Sequence, residues 1–325
     1  MKIRRLLTAS MAVLALAGTS AIGAATAWAE PAVQGKTHEM TVAYFRAWRD
    51  THSDPTVNFN SMSDLPKQVD IAIAFPNPET TQTFWDTLPG QIESLHKQGT
   101  KVIRSLDISL FYKDDFNDPH DHQSLSPMES NAEGYAKRAS ELKKSYLYFP
   151  GLDGFVVNAE ASMTSTDVER ATGVLRAMSR YYGPKSPEPS SIFAYNTNKP
   201  GTNSLYRGVS DVVSYVFADA YGRSVGALQR DWETYKGTIK SRQYIPGFSF
   251  YEERGGWWYD TEEPMSTSRA MQYALWEPDN GADGAQKGGI FEYAVDRDGV
   301  RRGDDKLQPT TFEWTKALSA AMNKK

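Results

Sequence analysis

The sequence predicts an α/β fold, a single (β/α)8 barrel, on three grounds. Strand-like runs recur eight times and alternate with helical patterns, as parallel strands joined by crossover helices do. Several of the runs are mostly apolar, as strands buried on both faces must be. No Gly-x-Gly-x-x-Gly follows the first run, so an open nucleotide-binding sheet lacks its fingerprint and the count of eight favours closure.

The elements follow in order. Residues 40–45 (MTVAYF) are β-rich and residues 69–75 (VDIAIAF) form a nearly continuous apolar run. Residues 84–97 carry a helical pattern that Gly99 ends, and 101–108 (KVIRSLDI) are the third strand. Residues 131–147 place Tyr135, Ala139, Leu142 and Tyr146 on one helical stripe before Pro150-Gly151 breaks the chain. Residues 153–160 (DGFVVNAE) are the fourth strand. A helix over 165–182 follows, opened by a capping region of Thr164, Ser165 and Asp167. Strands five to eight fall at 191–196, 212–221, 244–251 and 289–295, with helices at 228–239, 267–276 and 311–322.

The first 29 residues read as an export signal. Lys2, Arg4 and Arg5 precede an apolar stretch over 6–25, and Ala27-Trp28-Ala29 has the small-x-small form of a cleavage site. A retained membrane anchor is the rival reading, which the Thr, Ser and Gly inside the run disfavour. Removing those 29 residues from 325 leaves 296 for the barrel domain at 30–325. It also takes three positive charges from a net −4, so the expected secreted protein carries −7. There is no basic excess to attract nucleic acid, and no membrane partner is expected after cleavage. The chain has no cysteine, which excludes disulfides, thiolate metal sites and thiol nucleophiles, and no cofactor is implied.

Barrel chemistry sits at the C-terminal ends of the strands. In Val156-Val157-Asn158-Ala159-Glu160, Asn158 and Glu160 share a face opposite the apolar Val157 and Ala159. A carboxamide and a carboxyl ~6–7 Å apart along a strand can grip two points of one substrate, although a polar loop start reads the same way. Asp219 and Tyr221 end strand six on one face. Asn196 ends strand five beside Tyr195, Glu252 follows strand seven, and Tyr293 lies on strand eight. Each also has an ordinary reading as packing, a strand-to-loop transition or a solvated loop carboxylate. Arg254-Gly255-Gly256-Trp257-Trp258-Tyr259 sets Trp257 and Trp258 on a strand-end loop suited to stacking on sugar faces, or to core packing. His120 and His122, in Asp118-Pro119-His120-Asp121-His122, fit a polar loop better than a metal site, and Asp296-Arg297-Asp298-Gly299 reads as a turn.

The stretch Asp153-Gly154-Phe155-Val156-Val157-Asn158-Ala159-Glu160 resembles the Asp-Gly-x-Asp-x-Asp-x-Glu signature of family 18 glycoside hydrolases. Blocks at 43–48, 64–70, 98–104, 247–253 and 288–299 are similar, in order, to the IgG-specific streptococcal endoglycosidases of that family, and more loosely to secreted corynebacterial ones. The Asn-x-Glu ending also resembles family 85. The resemblance implies an endo-β-N-acetylglucosaminidase that cuts between the two core N-acetylglucosamines of an N-glycan on a glycoprotein, with IgG Fc the expected partner. It implies substrate-assisted retention, in which the substrate's acetamide attacks the anomeric carbon. Glu160 would be the acid, Asn158 would orient the acetamide, and Tyr221 would contact it. Asp219, Asn196, Tyr195, Glu252, Trp257, Trp258 and Tyr293 would line the sugar site. Strand eight has no Trp, whereas chitinases of the family usually place one under the reacting sugar, which disfavours chitin.

The chain departs from family 18 where Asn158 replaces Asp and Val156 replaces a second Asp. A non-catalytic lectin is therefore the alternative reading, weakened by the retained Glu160. A protease has no triad or metal motif to support it. The Asn also removes one like charge that would raise the pKa of Glu160. Asn158→Asp is expected to move the pH–rate profile upward; coincident profiles would refute the charge argument.

Overall fold

The computed structural model describes residues 38–114, 125–254, 258–279 and 286–324. Eight parallel strands close into a barrel in sequence order, β1 to β8. They are β1 (Met40–Arg46), β2 (Ile71–Phe75), β3 (Lys101–Asp107), β4 (Gly154–Asn158), β5 (Ile192–Thr197), β6 (Tyr215–Asp219), β7 (Tyr244–Ser249) and β8 (Gly289–Tyr293). Pairing of Val42 with Phe291 and of Tyr44 with Tyr293 closes the ring between β1 and β8. The expected fold class is thus the observed one.

Among the described residues, seven α-helices cover the barrel: α1 (Gln82–Lys97), α2 (Ala132–Ser145), α3 (Ser165–Met178), α4 (Ser204–Val209), α5 (Val225–Tyr235), α6 (Arg269–Leu275) and α7 (Glu313–Asn323). Six correspond to helical patterns in the sequence. The six-residue α4 has too few turns for a periodic signal, and Asn203 caps it by accepting from Leu205 and Tyr206. No α-helix follows β1; two 3-10 turns, Ala47–Arg49 and Met62–Asp64, fill that connection. The expected capping of α3 is present: Thr164 Oγ1 accepts from Asp167 N–H, and the Asp167 carboxylate accepts from Thr164 N–H at 2.9 Å. Such a cap contributes ~1 kcal/mol. No helix among the described residues is long and apolar enough to cross a membrane.

Strand alternation sorts the side chains into two layers. Val42, Tyr44, Ile73, Val156, Ala194, Phe217, Ile245 and Phe291 fill the barrel interior. Phe45, Ala72, Val157, Phe193, Tyr195 and Phe248 belong to the larger core that includes the helices. Both faces of each strand are therefore dry, which is why several of the sequence runs are nearly continuous apolar stretches.

Two close approaches position the site. Gly154 opens β4 at φ +156°, where a Cβ would sit 1.9 Å from the Ile192 carbonyl oxygen of β5. The Asp-Gly of the strand-four stretch thus serves strand packing, and Asp153 completes it by accepting from Val102 N–H at 2.7 Å and pairing with His96. Gly247 on β7 leaves room for the Phe291 ring, which a Cβ would meet at 2.0 Å. Gly247→Ala is expected to destabilise the protein by about 1–3 kcal/mol, the usual range for overpacking, as read by urea unfolding. An unchanged midpoint would show that the ring relocates freely.

Candidate active site

The mouth of the barrel is built from the ends of β1 and β3 to β8. Asn158 is the last residue of β4 and pairs with Asn196 of β5. Its Nδ2 donates to Ser105 Oγ on β3 at 2.9 Å. Its Oδ1 is buried and has no hydrogen-bond donor among the described residues. A buried acceptor left open in this way is costly unless a ligand completes it. The carboxamide is therefore fixed on its donor side and open on its acceptor side, which suits the N–H of an amide.

Glu160 lies two residues beyond Asn158, exposed and past the end of the strand, which is shorter than the sequence predicts. Ala159 N–H donates to Asn196 O at 2.8 Å, so strand-like pairing continues to the residue before Glu160. Asp219 is the last residue of β6.

Asp219 is only 6% exposed. Asn196 Nδ2 donates to its Oδ1 at 2.7 Å and to Phe217 O at 3.2 Å. Burial raises the Asp219 pKa well above the usual carboxylate range; the charge of Glu160 adds to this, while the bond from Asn196 opposes it. A carboxyl on β6 thus stands across the mouth from Glu160, although β4 carries no second one.

Tyr221 is half-buried among aromatic rings, edge-on to Phe291 at 5.9 Å and tilted against Tyr293 at 6.0 Å. Burial, then the Asp219 charge, raises its pKa, so the phenol is a hydrogen-bond donor at neutral pH. Trp258 is 49% exposed, packs on Gly222 and lies 6.5 Å from Tyr221, at the edge of the mouth. Trp257 lies outside the described residues, as do His120 and His122. Among the described residues, no group of three or more His, Cys, Asp or Glu side chains could hold a metal ion.

Two residues differ from their sequence assignments. Tyr195 does not face the mouth. It alternates with Ala194 and Asn196, points into the helix layer and packs 5.7 Å from Tyr206, fully buried. Glu252 is not a free loop carboxylate: its Oε1 accepts from Arg46 Nη1 at 3.2 Å and from the Tyr293 hydroxyl at 3.0 Å. Asp296 is likewise more than part of a turn. Its carboxylate accepts from Arg46 Nε at 2.9 Å and 3.2 Å and from Nη2 at 2.6 Å. Asp298 caps α7 by accepting from the N–H groups of Trp314 and Thr315. Burial works against the charge of Glu253, yet Arg46 and Arg49 hold its pKa down to about 2.

Sequence reasoning missed Arg46 and Tyr44. Arg46 is buried at the end of β1, and its partners lie 200 or more residues away, beyond any spacing signal. Tyr44 was legible as a hydroxyl at an inward-facing position of an apolar strand. It is 3% exposed, and its hydroxyl has no hydrogen-bond partner among the described residues. Burial, then the charges of Asp219 and Glu160, raises its pKa, which puts it within electrostatic reach of both carboxyls.

Comparison with known proteins identifies the family. The family described as the endo-β-N-acetylglucosaminidase EndoS TIM-barrel domain matches residues 43–292. Endo-β-N-acetylglucosaminidase F2 of Elizabethkingia meningoseptica is 33% identical over 302 residues, covering 90% of this chain and 84% of that protein. EndoS of Streptococcus pyogenes is 32% identical, and the match covers 79% of this chain but 29% of that protein. The crystal structure of an endo-β-N-acetylglucosaminidase from Cordyceps militaris superposes with a TM-score of 0.81 at 41% identity, covering 89% of this chain and 92% of that one. A chitinase from Pseudoalteromonas aurantia, at 15% identity and a TM-score of 0.52, shares the fold alone. The chain is a glycoside hydrolase and belongs to the EndoS-type endo-β-N-acetylglucosaminidases.

Proposed function

We propose that the protein cleaves the chitobiose core of N-linked glycans on glycoproteins by substrate-assisted retention. The observation that carries this is the open, buried Asn158 Oδ1 next to the Glu160 carboxyl. An N-acetylglucosamine at the mouth would donate its acetamide N–H to Asn158 Oδ1, which orients the carbonyl oxygen toward the anomeric carbon. The Tyr221 phenol would donate to the same acetamide. Glu160 gives its proton to the glycosidic oxygen as the bond to the anomeric carbon breaks and the acetamide oxygen bonds there. Water then attacks the same carbon, Glu160 takes its proton, and the acetamide oxygen leaves. Two inversions at one centre retain configuration.

Support for a protein-linked glycan comes from the related Cordyceps enzyme, a variant of which has been crystallised with fucosyl-N-acetylglucosamine-Asn. IgG Fc is the glycoprotein that the resemblance to the streptococcal enzymes brings to this chain. Export rests on the segment 1–29; a secreted protein whose first residue is Glu30 would bear it out, and one retaining residues 1–29 would contradict it.

Mass spectrometry of IgG and of a second N-glycosylated protein, incubated with the purified enzyme, tests the reading. Loss of glycan mass leaving one N-acetylglucosamine on Asn is expected, and Glu160→Gln should slow it by on the order of 10²–10⁴-fold while sparing binding. An unchanged mass with measurable glycan binding would mean a lectin. Cleavage of both proteins would extend the target beyond IgG.

A further inference from the structure

We infer that Asp260 is a positioning residue for the reaction: its carboxylate sets the turn that carries Tyr221 and so fixes the phenol at the mouth. The inference deepens the functional reading above and rests on it. Asp260 lies in the connection between β7 and α6 and is fully buried. Its Oδ1 accepts from Gly222 N–H at 3.0 Å and from Arg269 Nη1 at 2.7 Å, and its Oδ2 accepts from Ser249 N–H at 3.0 Å. Gly222 follows Tyr221 directly, and Ser249 is the last residue of β7. One buried side chain therefore joins the backbone next to the phenol to the end of the neighbouring strand.

The local backbone shows what this bond does. Tyr221 lies past the end of β6, outside the ladder that fixes the strand. Arg223 N–H donates to Ala220 O at 2.9 Å and closes a four-residue turn with Tyr221 and Gly222 at its centre. Gly222 has φ +69°, a left-handed conformation that glycine adopts without strain. The Tyr273 hydroxyl of α6 holds the two ends of the turn, 2.5 Å from Ala220 O and 2.6 Å from Arg223 O. Asp260 holds its centre. The Trp258 ring lies against Gly222, where a Cβ would meet it at 2.7 Å, so the same turn also seats the aromatic edge of the mouth.

Three N–H donors converge on this one carboxylate, which is an acceptor only when ionised. Without it the Gly222 N–H loses its partner, and the centre of the turn is no longer tied to β7. The Tyr221 phenol then has no fixed place from which to donate to the acetamide. A misplacement of about 1 Å at a reacting site costs on the order of 10²-fold. Being fully buried, Asp260 acts through Tyr221 rather than on the sugar.

The test measures kcat and KM of the wild type, Asp260→Ala, Tyr221→Phe and the double variant on one glycoprotein. Asp260→Ala should lower kcat by on the order of 10–10²-fold. In the Tyr221→Phe background the same change should cost less than about threefold, because the hydroxyl it positions is already gone. A merely structural role would lower both backgrounds alike. An equal loss in both, or a wild-type kcat in Asp260→Ala, would overturn the inference. If Asp260→Ala does not fold, Gly222→Ala, on the exposed turn, replaces it in the same cycle with the same outcomes. Hydrogen exchange at the Gly222 amide adds a readout independent of turnover. Protection is expected in the wild type, and exchange there at the rate of a free amide would overturn the inference. A wild type that binds glycan without cleaving it would refute the functional reading, and the exchange would still decide whether Asp260 holds the turn.

Discussion

A carboxyl buried at the mouth of a barrel has to be neutral, partnered or both, and Asp219 meets that constraint through Asn196. That bond ties the ends of β5 and β6 together. Asn196 also donates to Phe217 O and accepts, through its backbone oxygen, from Ala159 N–H. The backbone just before Glu160 is therefore locked to the strand that orients Asp219. The geometry of the acid depends less on its own exposed side chain than on this buried polar seam beside it.

The opposite side of the mouth is organised by a different buried charge. Arg46 leaves β1 into a space bounded by Asp296, Glu253 and Glu252, and Glu252 in turn receives the Tyr293 hydroxyl. A buried guanidinium survives only when its donors are matched in this way. Between the two polar groups lies an aromatic floor. Phe291 fills the space that Gly247 leaves and touches Tyr44, Phe217 and Tyr221. One polar half can thus hold an acetamide while the other fixes ring positions, with a dry surface between them.

The sequence made the barrel legible because strands buried on both faces write long apolar runs, and because strand ends of this fold carry the chemistry. Asn158, Glu160, Asp219 and Tyr221 were readable from period-two alternation at those ends, and all four reach the mouth. Tyr195 was misplaced for want of the same rule: its neighbours Ala194 and Asn196 face inward, so it cannot. Glu252 and Arg46 were not readable in their true roles, because their contacts join residues about 206 apart. The short α4 left no periodic trace. The double 3-10 connection after β1 left none either, although the pattern of the fold called for a helix there.

Replacing Asp by Asn on β4 looks like decay when that strand is read alone. The Asn that stands there has its donor side fixed on Ser105 and its buried Oδ1 open toward the mouth, where an amide N–H would complete it. The most direct measurement is a crystal structure of the protein with a thiazoline analogue of the bicyclic intermediate. With its ring nitrogen protonated, as in the oxazolinium it mimics, the analogue is expected to donate that N–H to Asn158 Oδ1 at about 2.7–3.2 Å, with Tyr221 against the same ring. An analogue bound with that nitrogen turned away from Asn158 would contradict it.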